Sequence, residues 1–117
     1  MTLRDFYIKI GSSLDAVKSQ MGMPDRLLDK FVKKFPNDKS ASELFRTYES
    51  KDYETAFRMA HTLKGLCLNL GFDKLRESSA EMTEALRNNN VADNADQLLE
   101  NVRRDYDEII SALNELD

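Results

Sequence analysis

Leu98, Val102, Tyr106, Ile109, Leu113 and Leu116 recur at intervals of three and four residues towards the end of the chain. A repeat of that length brings all six onto one side of an α-helix, so the spacing predicts an amphipathic helix from about Asp93. The same arithmetic organises the rest of the sequence. Leu27, Leu28, Phe31, Val32 and Phe35 form one face after Pro24, a residue tolerated in a first turn, and Pro36 stops that helix. Leu44, Phe45 and Tyr48 mark a helix between Ser40 and Ser50. Ala56, Ala60, Leu63, Cys67 and Leu70 run from Asp52, a capping residue, to Gly71, a helix-ending glycine. Asp73 is placed to cap a helix with Leu75, Ser79, Met82 and Leu86 inward, and Asn88, Asn89 and Asn90 make a polar turn. At the front, Leu3, Phe6, Tyr7 and Ile10 suit a short helix broken by Gly11, and Leu14, Val17 and Met21 continue at helical spacing to Gly22. Alternating apolar and polar runs are almost absent, and only four glycines and two prolines interrupt the pattern. The expected fold is all-α: an antiparallel four-helix bundle with one or two additional N-terminal helices, because short connections make long amphipathic helices antiparallel neighbours.

Length and charge narrow the function. A chain of 117 residues supports one domain with one hydrophobic core. A net charge of −4 argues against reading a nucleic-acid backbone. No apolar run approaches the roughly 18 residues of a membrane span, and Met1 to Asp5 lacks a signal-peptide core. Cys67 is the single cysteine, so neither an internal disulfide nor a cysteine-based metal site is available, and the expected setting is the cytoplasm. The charge is uneven: Lys51 to Arg76 carries five cations against three anions, whereas Asp93 to Asp117 carries eight anions and two cations. The middle of the chain is thus its basic part, suited to an anionic visitor, although a solvated helix face produces the same pattern.

That basic part holds the one histidine, His61, in the run Ala60-His61-Thr62-Leu63-Lys64-Gly65. Glycine inside a helix costs about 1 kcal/mol relative to alanine, so Gly65 needs a reason. Phe57, His61, Lys64, Gly65 and Leu68 share one face, beside the stripe of core residues. An imidazole that is mostly neutral at pH 7 offers a lone pair able to attack phosphorus and hold a phosphoryl group. Lys64, one turn on, supplies a point charge for phosphoryl oxygens, and Gly65 clears space for an incoming group. Gly65 could equally allow two helices to pack closely. Phe57 and Leu68 would form an apolar surround for docking.

The pattern His61-x-x-Lys64-Gly65, with Gly71 six residues after Gly65 in an all-helical chain of this size, resembles the histidine-containing phosphotransfer (HPt) family. The resemblance covers residues 21–117 and leaves residues 1–20 as a variable helical segment packed on the bundle. It implies a phosphorelay intermediate, not a kinase, that takes a phosphoryl group from a receiver-domain aspartyl phosphate and passes it to another receiver. It further implies His61 as phosphoacceptor, Nε2 being the expected atom, Lys64 as phosphoryl-stabilising cation and Gly65 as clearance. Many members carry Gln or Glu on the next helix to hydrogen-bond the other ring nitrogen. Thr83 stands at that position, with Glu84 or a water as substitutes, and Arg87 one turn further is a second contact for phosphate or partner. The implied partners are response-regulator receiver domains, with a hybrid sensor histidine kinase as a further candidate. The chain is expected to act as a monomer, with no cofactor or metal of its own and Mg²⁺ on the receiver.

Other classes fare less well. Metal or haem chemistry in a bundle lacks a Glu-x-x-His pair, and one histidine offers one good nitrogen ligand. A kinase would need a nucleotide site, and no glycine-rich phosphate loop is present. Two alternatives stay open: an HPt-like module that binds receivers or other partners without being phosphorylated, and a structural helical adaptor. Cys67 and Gly71 read as core residue and helix stop.

Overall fold

Seven α-helices and no strand make up the chain in a computed structural model that describes residues 1–117. They are α1 (Leu3–Lys9), α2 (Leu14–Met21), α3 (Asp25–Lys34), α4 (Ser40–Glu49), α5 (Tyr53–Leu70), α6 (Asp73–Ala85) and α7 (Ala95–Leu113). Single 3₁₀ turns at Phe35–Asn37 and Arg87–Asn89 follow α3 and α6. Consecutive packing of α4 on α5, α5 on α6 and α6 on α7 builds the four-helix bundle. The expected all-α bundle is therefore the fold, with three short helices rather than one or two ahead of it. α1 packs on α2 and α7, while α2 and α3 pack on α5.

The anticipated stripe of α5 is the inner face of that helix: Ala56, Ala60, Leu63, Cys67 and Leu70 are all buried. They belong to one core cluster that also takes in Phe6, Tyr7, Ile10, Leu14 and Val17, so the N-terminal helices share the core of the bundle. Phe72 is the hub of the aromatic part, with ring centroids 5.9 Å from Phe6, 6.1 Å from Tyr7 and 5.1 Å from Phe35. The pairs with Phe6 and Phe35 are edge-to-face, an arrangement that adds to the burial of the rings themselves.

The C-terminal end of α5 is closed from outside the bundle. The Phe72 and Gly71 amides bond back to the carbonyls of Cys67 and Leu68, and Gly71 turns the chain at φ +71°. Tyr7 Oη donates to the Leu70 carbonyl at 2.6 Å in the buried interior, and burial pushes the Tyr7 phenol above its ordinary range. Val17 of α2 presses on the same turn, because a Cβ built on Gly71 would lie 1.9 Å from Val17 Cγ2.

Two helix starts differ from expectation. Phe72, not Asp73, is the N-cap of α6; its ring is drawn into the aromatic cluster and it offers no capping oxygen. Ser12, from the turn between α1 and α2, accepts from the Asp73 amide at 3.3 Å and serves as a cap from another part of the chain. Asp73 keeps a favourable place in the first turn, where the helix dipole welcomes an acid. α7 starts at Ala95 rather than Asp93, and its inner face includes Leu99 and Asp105, while Leu98 and Leu113 are half-buried. The buried Asp105 carboxylate is met by Arg104 at 3.1 and 3.3 Å.

Replacing Gly71 with alanine therefore meets both a left-handed backbone and the methyl of Val17. Gly71→Ala is expected to cost about 3 kcal/mol in urea unfolding, from the αL penalty together with overpacking. Adding Val17→Ala should recover the overpacking part only; full additivity of the two substitutions would show that α2 does not press on this turn.

Candidate functional site

The strip around His61 is made by the way α5 begins and ends. Asp52 Oδ1 accepts from the Thr55 amide at 3.2 Å, and hydrogen bonds from Thr55 hold the Asp52 carboxyl below the usual carboxylate range. With the far end fixed at Gly71 and the inner stripe buried, the outer face is set by helical geometry. His61 is exposed, Phe57, Lys64 and Gly65 are half-buried, and Leu68 is 47% exposed. The five residues expected to share a face do so.

Phe57 lies one turn before His61 with its ring nearly parallel to the imidazole, at 8° between planes and 6.4 Å between centroids. The side-chain hydrogen bonds nearby leave the imidazole alone. Thr62 Oγ1 donates to the Arg58 carbonyl, and Arg87 donates to Glu84 through Nε and a terminal nitrogen at 2.8 and 2.7 Å. The Arg87 guanidinium carbon sits 5.2 Å from the centre of the Phe57 ring. Arg58 and Arg87 are paired with Glu54 and Glu84, whereas Lys64 has no ion-pair partner. Glu84 is held below its ordinary carboxylate range, chiefly by its hydrogen bonds from Arg87, with smaller contributions from the charges of Arg87 and Lys64.

Thr83 does not meet His61. It is fully buried on the inner side of α6, and its hydroxyl donates to the Ser79 carbonyl at 2.7 Å. A threonine hydroxyl has one proton, and here a carbonyl one turn back on the same helix takes it. Of the three residues expected behind the histidine, Arg87 reaches the strip, over Phe57, and Glu84 is bonded to Arg87. The 84/87 spacing was readable as an i,i+3 ion pair; the placement of Arg87 over a ring on another helix was not.

The two glycines of α5 separate cleanly. A Cβ on Gly65 would have no heavy atom within 4 Å, so close helix packing is not what this glycine serves. Its open space faces outward, next to His61. Gly71, by contrast, is filled by Val17. Cys67 is enclosed in the core, and burial pushes its thiol well above the ordinary range, which makes it a poor nucleophile.

The clefts of the molecule lie between α6 and α7 and around α3, and none is lined by His61, Lys64 or Gly65. Small-molecule sites are concave, and the exposed His61 lies outside every cleft. No helix is long and apolar enough to cross a membrane.

The fold and the strip define a helical bundle with an exposed histidine on one face of its central helix. A model of the Hpt domain matches residues 26–116, most of the chain, and the protein belongs to that family. Hpt domains are histidine phosphotransfer modules of phosphorelays, phosphocarriers rather than kinases, and they interact with receiver domains. Neither a search of curated proteins nor one of solved structures found a match.

Since nothing inside the protein fills the space beside Gly65, alanine there should act through helix propensity alone. Gly65→Ala is expected to stabilise the protein by about 1 kcal/mol in thermal or urea denaturation. A destabilised variant would mean that the glycine is needed by the fold itself.

Proposed function

We propose that this protein is a phosphorelay intermediate that carries a phosphoryl group on His61. The observation that carries the reading is Gly65: a helix-weakening residue one turn from an open imidazole, with no internal neighbour to justify it. Cleared space that the protein does not use is space for a visitor.

In the transfer, a lone pair of His61, at Nε2, attacks the phosphorus of a receiver's aspartyl phosphate. The P–N bond forms as the P–O bond to the aspartate breaks, and the aspartate leaves as a carboxylate. The imidazole keeps its Nδ1 proton and becomes a phosphorylated imidazolium. A second receiver reverses the step. Positioning and neutralisation of charge dominate such transfers, and the unpaired Lys64 is the cation on hand for the phosphoryl oxygens. Phe57 and Leu68 form the apolar margin against which a receiver docks. Mg²⁺ belongs to the receiver's site, and the bundle works as a cytoplasmic monomer, with a hybrid sensor kinase as a candidate donor.

A second reading, a module that binds receivers without phosphorylation, draws on Thr83. Its hydroxyl is committed to Ser79, so the imidazole has no side-chain partner to orient it. Labelled phosphate separates the two. A phosphorylated receiver domain mixed with the wild type should leave acid-labile, base-stable label on the bundle, and His61→Gln should carry none. Binding without label would favour the second reading, and neither binding nor label would leave a structural adaptor. Lys64→Ala should stay folded and transfer roughly tenfold more slowly, the equivalent of about 1.4 kcal/mol at the transition state. Gly65→Ala should also transfer more slowly while melting higher.

A further inference from the structure

One cation beside the His61 strip, Arg87, answers to one carboxylate. Glu84 is bonded through both oxygens by Arg87, at 2.7 and 2.8 Å, and it also lies in the field of Lys64. Arg87 rests over Phe57, whose ring runs parallel to the imidazole one turn along α5. We propose that Glu84 is a placeholder anion: it holds Arg87 on Phe57 in the resting protein and gives up that cation when a phosphoryl group arrives on His61. The proposal rests on the phosphocarrier reading and adds a positioning residue to it.

Three features suit Glu84 to that role. The pair is solvated, with side chains 62% and 46% exposed for Glu84 and Arg87, and exposed pairs of this type are weakly held. A phosphoryl group brings more negative charge than a carboxylate and three acceptor oxygens, so a guanidinium moves to it readily. Both groups adjoin one ring. The guanidinium carbon is 5.2 Å from the Phe57 centroid and that ring is 6.4 Å from the imidazole, and a rotamer change in a long side chain carries its charged head along such a surface. Phe57 supplies a surface along which the cation can rest, since guanidinium groups favour aromatic faces.

Glu84 then competes with the phosphoryl group, and the competition sets how much phosphate the histidine holds. Simple repulsion between Glu84 and a phosphoryl group would act in the same direction, and Arg87 distinguishes the two. A placeholder works through Arg87, so its removal matters less once Arg87 is gone; repulsion is indifferent to Arg87.

The test uses a receiver domain that labels the wild type, with label counted on each protein at equilibrium. Phosphoramidate, a small donor whose P–N bond breaks as ammonia leaves, loads the histidine without a receiver. Glu84→Gln is expected to raise the ratio of phosphorylated to free His61 by about two- to fivefold at low salt, the range of an exposed pair, and less at high salt. In an Arg87→Gln background the same substitution should have less than half that effect. The Arg87 Nε–H signal in NMR should move when phosphoramidate loads the wild type. Wild-type ratios in Glu84→Gln, full additivity with Arg87→Gln, or an Arg87 signal unmoved by loading would each overturn the placeholder. A His61 that takes label from neither donor would overturn the phosphocarrier reading, and the placeholder with it.

Discussion

Val17 occupies the space that a side chain on Gly71 would require, and Tyr7 caps the Leu70 carbonyl from below. Through these contacts α1 and α2 close the end of α5, whose long sides pack on α4 and α6. The orientation of α5 matters more than that of any other helix, because its inner and outer faces have opposite tasks. Turned inward are Ala56, Ala60, Leu63, Cys67 and Leu70; turned outward is His61 with its neighbours. A helix turns by about 100° per residue, so a modest rotation would carry Lys64 towards the core and Leu63 into water. The packing of α4 and α6 sets that rotation, and the short N-terminal helices set where α5 stops.

Gly65 and Gly71 illustrate how one residue type serves two ends on one helix. At Gly71 the reason for glycine lies inside the molecule, in a left-handed turn against a neighbouring side chain. At Gly65 the backbone is ordinary helix and the adjacent volume is empty. A residue that weakens its own helix without serving a neighbour points beyond the protein's boundary. That contrast, invisible from the spacing of the two residues, is what joins the geometry of the strip to the chemistry of a phosphocarrier.

Much of this was legible in the sequence where periodicity alone decides. The buried stripe of α5, its Asp52 cap and its Gly71 stop follow from a 3.6-residue repeat and local chemistry, and so does the outward face of His61. What escaped depends on segments distant in sequence. Asp73 looks like a cap, yet the aromatic cluster takes Phe72 into that position and Ser12 supplies the oxygen from another turn. Thr83 sits at a spacing that suggests a partner for the imidazole, but the rotation of α6 puts it inside. Asp105 interrupts the apolar pattern of α7 and is nevertheless buried, because the neighbouring guanidinium of Arg104 covers its charge. Whether Gly65 serves packing or clearance also required knowing what surrounds it.

The absence of a cleft at the histidine strip has a kinetic meaning for the proposed relay. Partners that meet on an open face of one helix and the edge of its neighbour bury little area, and small interfaces belong to short-lived complexes. Affinity differences among related complexes reside mainly in dissociation rates, so a shallow contact favours rapid departure. For a module that, on the proposed reading, releases one receiver before meeting the next, a deep and snug recess would hold the first partner too long. The shape that leaves His61 without a pocket is therefore also the shape that lets the same surface be used again.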